Sequence, residues 1–260
     1  MATQIRAAAE YFGTSTLVMI DVGGDAMTNG KDPGLRSPLA DQLAIAACVC
    51  AEIPAKLLVA APGIDGELLP ATILARLNAG GAERLADLST DDFASVRPVF
   101  AWHPSEASGL LAAAASGRRG SVEVRDAGDQ IALTDATASI FAVDLHRVLD
   151  SLPASDLTRT QSLAEAEAII RQTTGISEIS YETQKARNLN RRDVHTPSVA
   201  DLLDVDHHAQ AAALRGSEFI SMRRLAELLH ATTLDAFAAT SALLATERSD
   251  RYEPSLYHVK

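Results

Sequence analysis

Two cysteines in 260 residues leave no disulfide framework. Both, Cys48 and Cys50, fall inside the apolar run AIAACVCAEI. On a helix, side chains two positions apart diverge, which excludes a mutual disulfide or a shared metal and leaves two small buried apolar groups. So little cysteine fits a reducing compartment, and the expectation is a cytoplasmic protein.

Basic residues are the next shortage. Lys and Arg number 23 against 34 Asp and Glu, a net charge of −11. The tight basic pairs, Arg118-Arg119, Arg191-Arg192 and Arg223-Arg224, are scattered along the chain. A nucleic-acid groove needs clustered cations to neutralise phosphates, so that partner class is excluded, while one local anion site is not. No apolar stretch approaches the roughly 20 residues of a membrane span, and MATQIRAAAEYFG has no apolar signal core. Three catalytic or cofactor signatures are also missing. There is no G-x-G-x-x-G, no G-x-x-x-x-G-K-[ST] and no G-x-S-x-G. A nicotinamide or flavin fingerprint, a P-loop and a nucleophile elbow therefore drop out.

What is present is 47% hydrophobic residues, enough for one large domain with a real core. Strand-like and helix-like segments alternate through the first half. Ala2 to Phe12 is rich in helix formers and stopped by Gly13. LVMI (17–20), KLLVAAP (56–62), the run Val99 to Trp102, and SIFAVD (139–144) read as buried strands. Ser37-Pro38 opens a helix that ends before Pro54, and PATILARLNAGG gives another closed by Gly80-Gly81. SVEVRDAGDQIAL alternates around Ala127-Gly128-Asp129, a hairpin signal. From about Ser151 the patterns are mostly helical. The expectation is an α/β protein: a Rossmann-like, mainly parallel sheet flanked by helices over residues 1–150, and a helical C-terminal portion over 151–260 packed on that core.

In open parallel sheets ligands bind beyond the carboxyl ends of the strands. After LVMI come Asp21, Gly23, Gly24 and Asp25; after LLVAA come Asp65, Gly66 and Glu67; after VFAW come His103, Ser105 and Glu106; after IFAV comes Asp144, with His146 beyond. Gly23-Gly24 lets a ligand approach main-chain N–H groups, or serves only a tight turn. Asp21 and Asp25 can hold a hard cation such as Mg²⁺, orient substrate hydroxyls, or cap the turn. Asp65 and Glu67 are candidates for proton transfer, can instead join Asp21 around a cation, or form only a solvated turn, with His103 as a further acid–base group. Ser105 reads as a helix cap whose helix start could hold a phosphate or carboxylate. Of two other polar groups, Asp204-Asp206-His207-His208 offers metal-ligand types but reads more simply as a solvated helix start, and Arg191-Arg192-His195 reads equally as a group closing over an anionic ligand or as a polar loop.

Four ordered motifs, IDVGGD, GLRSPLADQLAI, PGIDGEL and HPSEASGLLAAAASGRRGSVEVRD, resemble an uncharacterised prokaryotic family of hypothetical proteins, a conserved domain of unknown function. The likeness covers about Leu17 to Asp144. It implies a Rossmann-like fold and a shared site around Asp21, Gly23, Gly24, Asp25, Ser37, Asp41, Asp65, Glu67, Ser105 and Glu106. Family members begin with a further glycine-rich strand–loop segment ahead of IDVGGD, which this sequence does not show; the resemblance implies that it is lost or supplied by a companion chain.

The functional expectation is an enzyme of small-molecule metabolism performing hydrolysis or group transfer on a phosphate- or carboxylate-bearing metabolite, with Mg²⁺ as a candidate cofactor. The alternative is a non-catalytic subunit that completes or regulates a companion protein of the same family; the expected protein partner is such a companion chain or a second copy in a homo-oligomer.

Overall fold

The computed structural model describes residues 1–124, 129–190 and 194–260. The chain forms two compact units, each drawn from two separate stretches: Met1–Ala86 with Ser139–Lys185, and Asp87–Ala138 with Ala186–Lys260. The mostly helical stretch after Asp150 is thus shared between them. Among the described residues no helix is long and apolar enough to cross a membrane.

The first unit contains strands β1 (Leu17–Val22), β2 (Ala55–Ala60), β3 (Glu83–Asp87) and β6 (Ser139–Asp144) in the order β1-β2-β6-β3. β1, the Pro38–Cys50 helix and β2 make a βαβ unit of the expected kind, with β1 and β2 parallel in the register Leu17↔Ala55 to Val22↔Ala60. Its core packs on the face that carries Leu57, Val59 and Val143, and is filled by Ile45, Ile73, Leu77 and Ile170 from the surrounding helices.

The expectation of a mainly parallel sheet does not hold: the sheets are mixed. β6 runs antiparallel to β2, from Lys56↔Asp144 to Ala60↔Ile140. A helical crossover returns the chain to the same end of a sheet and enforces parallel pairing. Here residues 87–138 leave for the second unit, and β6 then starts at the end of the sheet where β2 finishes, Ala61 N donating to Ser139 O at 3.1 Å. Asp144 therefore pairs with Lys56 at the start of β2, not at the rim where β1 and β2 end. There it caps a short helix by accepting from His146 N at 2.9 Å.

The second unit holds strands β4 (Gly120–Glu123), β5 (Gln130–Leu133), β7 (Phe219–Ser221), β8 (Tyr252–Glu253) and β9 (Leu256–His258), ordered β5-β4-β7-β9-β8. β4 and β5 form the expected antiparallel hairpin, although Ala127 and Gly128 lie outside the described residues. The run Val99 to Trp102 is not a strand; Arg97–Ala101 is a 3₁₀ helix with Pro98 in its first turn. Pro98 has no N–H to give a ladder, which outweighs the apolar run. β7, β8 and β9 were not legible either, being only two or three residues long.

Candidate functional site

Within the first unit the ends of β1 and β2 bring together a set of carboxylates. Asp21 is the last residue but one of β1, and its two oxygens accept N–H bonds from Gly24 and Ala26, each at 3.2 Å. That turn, with Gly23 at φ 134 and Gly24 at φ 93, needs two residues without side chains. It leads into the 3₁₀ helix Asp25–Met27. The loop after β2 is tied to it by Gly63 N donating to Gly23 O at 2.6 Å. Asp65 then folds back, accepting from Glu67 N at 2.9 Å and pressing its Oδ2 against Gly23.

Glu67 and a distant residue, Glu178, fill the start of the Pro38–Cys50 helix. Glu67 accepts from Arg36 N at 2.8 Å, Ser37 N at 3.2 Å and Ser37 Oγ at 2.7 Å. Glu178 accepts from Leu39 N at 2.6 Å and Ala40 N at 3.3 Å. Pro38 between them has no N–H. Every backbone donor from residue 36 to residue 40 thus ends on one of two glutamates. Ser37, expected to cap the helix with its own hydroxyl, makes no such bond and donates the hydroxyl to Glu67 instead.

Two further side chains fix the segment from Ala26 to Asp32 that follows the turn. Arg76 holds Asp32 through paired bonds of 2.8 and 2.7 Å and also donates to Met27 O at 3.0 Å. Gln42, fully buried, donates to Ala26 O at 2.9 Å and accepts from Ala154 N at 3.0 Å.

The electrostatics are those of acids crowded out of water. Burial, then Asp41 and Asp65, push the Asp25 carboxyl up to about 11. Burial, then Asp41, raise Asp21 to about 7. Burial also raises Asp65 to about 6 and moves Asp41 and Glu178 upward. Asp25 is hydrogen-bonded side chain to side chain with both Asp41 and Asp65. Carboxyl groups in that relationship must share protons, because two adjacent carboxylates repel while an acid and a carboxylate bond.

The remaining expected site residues, His103, Ser105 and Glu106, belong to the second unit. His103 is exposed and edge-on to Trp102. Ser105 precedes the Glu106–Ala115 helix without a side-chain cap bond. Glu106 accepts a short hydrogen bond from Ser221 Oγ. Asp206 pairs with Arg248 and Arg251, and His195 contacts Asp201 at 2.8 Å; Arg191 and Arg192 lie outside the described residues. Among the described residues no group of three or more His, Cys, Asp or Glu is arranged to hold a metal ion.

Glu178 and Gln42 carried no signal in the sequence. Glu178 stands 139 residues from its partner Leu39. Gln42 sits among apolar residues as an ordinary helix position; only its burial reveals its role.

Fold and site together define an α/β protein with a proton-sharing carboxylate cluster at the joined ends of two parallel strands. The chain belongs to the family described as protein of unknown function (DUF1152), whose model matches residues 1–186. No curated protein and no solved structure matches it.

Proposed function

We propose that this protein is a cytoplasmic enzyme of small-molecule metabolism, performing hydrolysis or group transfer by acid–base catalysis at the Asp21–Asp25–Asp41–Asp65 cluster. One observation carries the reading: Asp25 is bonded to two other carboxyl groups, and its proton is held to about pH 11. A protonated acid beside groups that titrate near 6 and 7 is the pairing that proton transfer at neutral pH needs.

The cluster also restricts the substrate. Its surroundings are acidic, and the donors at the helix start already face Glu67 and Glu178. The part of the metabolite that meets Asp25 and Asp65 is therefore a hydrogen-bond donor, a hydroxyl or an amine as on a sugar, nucleoside or amino acid. Any phosphate or carboxylate it bears is directed away from these groups. Mg²⁺ at Asp21 and Asp25 is less well supported, since each Asp21 oxygen already accepts an N–H.

A thermal-shift screen tests this, using sugars, nucleosides, amino acids and their phosphorylated forms, with and without Mg²⁺. A ligand bound only by the folded state raises the melting temperature by mass action. The reading requires a ligand that stabilises the wild type and fails to stabilise Asp25→Asn. If no compound shifts the wild type, it is lost.

A second reading, a subunit that completes a companion chain, draws on the edge of the first sheet. β1 is an edge strand. Leu17 N and Gly23 N point to the β2 side, so by alternation the N–H and C=O groups of Val18, Ile20 and Val22 point outward. Val18 and Ile20 are 55% and 65% exposed, and the charged residue of the strand, Asp21, is buried, so no exposed charge or proline blocks added strands. Co-expression with a second protein of this family and size-exclusion of the mixture tests it; two separate peaks would end it.

A further inference from the structure

Residues beyond the family match fold into a module of known topology. Helix Leu202–Leu214, β7, helix Met222–Leu228, helix Leu234–Glu247 and the β8–β9 hairpin follow in that order, and their strands pair as β7-β9-β8. This is the winged helix-turn-helix arrangement, the hairpin being the wing. One apolar cluster drawn only from residues 202–259 holds it, including Val205, Ile220, Leu225, Phe237 and Tyr257. His230 takes the left-handed conformation in the turn at φ 58, and Thr233 caps the next helix by accepting from Ala236 N at 3.2 Å.

Modules of this topology commonly read duplex DNA with the third helix and the wing, which requires cations there. Here helix Leu234–Glu247 contains Asp235 and Glu247 and no Lys or Arg. Every arginine between residues 202 and 258 is paired: Arg215 and Arg224 with Glu123, Arg223 with Glu227, Arg248 and Arg251 with Asp206. The surface that would face phosphates is neutral to acidic.

The outer face of the first helix is different. Leu203, His207, Gln210 and Leu214 are all exposed and recur at i, i+4, i+7 and i+11, which aligns them in one stripe. The two leucines are 79% and 84% exposed, and no acid stands in the stripe although the chain carries −11. The stripe is symmetric about its own centre. If two such helices cross antiparallel about a two-fold axis, Leu203 meets Leu214 of a second copy at both ends, and His207 meets Gln210 in the middle. An acidic chain that presents a neutral, self-complementary stripe presents it to itself.

We infer that residues 202–258 form a winged helix-turn-helix module that pairs two copies of this chain through the outer face of the Leu202–Leu214 helix. A helix of 13 residues is about 20 Å long. One such helix pair is smaller than a standard interface, so the dimer is a weak one.

Sedimentation velocity of the full chain, from low micromolar to several hundred micromolar, reads the association directly. The sedimentation coefficient should climb toward the dimer value with concentration. Leu214→Glu or Leu203→Glu should weaken association about tenfold or more with little change in melting temperature, because both side chains lie on the surface. The double variant L203R/L214E should regain the dimer, since the antiparallel register sets each new charge against its opposite. A chain that is monomeric throughout overturns the inference, and so does a dimer indifferent to both single substitutions. Saturable binding of a mixed-sequence DNA duplex by the wild type would also overturn it, assigning the module to nucleic acid instead.

Discussion

Asp65 Oδ2 occupies the space in which a side chain on Gly23 would begin: a Cβ there would lie 1.9 Å from it. Gly23 also has φ 134, a conformation closed to L side chains. The glycine is required twice, once by the turn and once by the carboxylate seated on it. Gly23→Ala should expel Asp65 from its contact with Asp25 and cost more than about 1 kcal/mol in urea denaturation. A variant as stable as the wild type would show that the turn has another way to accept a methyl group.

Proton sharing gives stability a definite dependence on pH. A carboxyl whose folded pKa lies above its unfolded value binds its proton more tightly when folded, so stability falls as pH rises between the two values. For Asp65 that window runs from 3.8 to about 6, for Asp21 from 3.8 to about 7, and for Asp25 from 3.8 to about 11. The melting temperature should therefore drop between about pH 5 and pH 8, and Asp25→Asn should flatten the slope and melt higher at the alkaline end. A melting temperature that rises over this range, or an unchanged slope in the variant, would contradict the cluster as described.

Glu178 begins a helix, Glu178–Asn190, in which none of the residues whose side chains are described is buried. With so little apolar anchoring, this helix opens locally at low free-energy cost. Its first residue accepts from Leu39 N and Ala40 N, which ties the start of the helix to the Pro38–Cys50 helix. Glu178→Ala should speed amide hydrogen exchange in peptides covering Leu39–Ala40 and residues 178–188, at a global cost of about 1 kcal/mol. Glu178→Gln, which still presents an acceptor oxygen, should fall between the two. Equal exchange in all three proteins would rule the attachment out.

The sequence made the βαβ beginning and the acidic strand ends legible for separable reasons. Leu17–Val22, Ala55–Ala60 and Ser139–Asp144 announce themselves as apolar runs bounded by turn residues, and all are strands. Direction was not legible, because nothing inside SIFAVD records that the chain returns from another unit before pairing antiparallel with β2. That reversal carries Asp144 away from the rim that Asp21 and Asp65 share. The acids at the ends of β1 and β2 could be grouped because two parallel neighbours end side by side. Glu178 could not, since a residue arriving from a separate helix leaves no spacing to read. Burial on a strand was legible only by alternation: Leu57 and Val59 are fully buried, whereas Leu58 between them is partly exposed.

Gln42 links the cluster to the rest of the unit, and its side chain can be tested without touching a carboxylate. It has no solvent exposure, and its amide joins the 3₁₀ turn at Ala26 to the short helix that begins at Ala154. Removing the amide leaves Ala26 O and Ala154 N buried without these partners, and an unsatisfied buried group costs about 1–3 kcal/mol. Gln42→Ala should therefore destabilise by at least the upper part of that range, because two groups and a cavity are involved together. Gln42→Glu keeps the acceptor toward Ala154 but loses the donor toward Ala26 O and adds an acid near Asp25. Its deficit should consequently shrink at low pH, where the new carboxyl is protonated and can donate again. Urea titrations of both variants at about pH 5 and pH 8 separate the two causes: the alanine deficit should vary little with pH, and the glutamate deficit should grow as pH rises. A Gln42→Glu protein whose deficit is the same at both pH values would show that the added acid is solvated, and that Gln42 is not enclosed with the cluster.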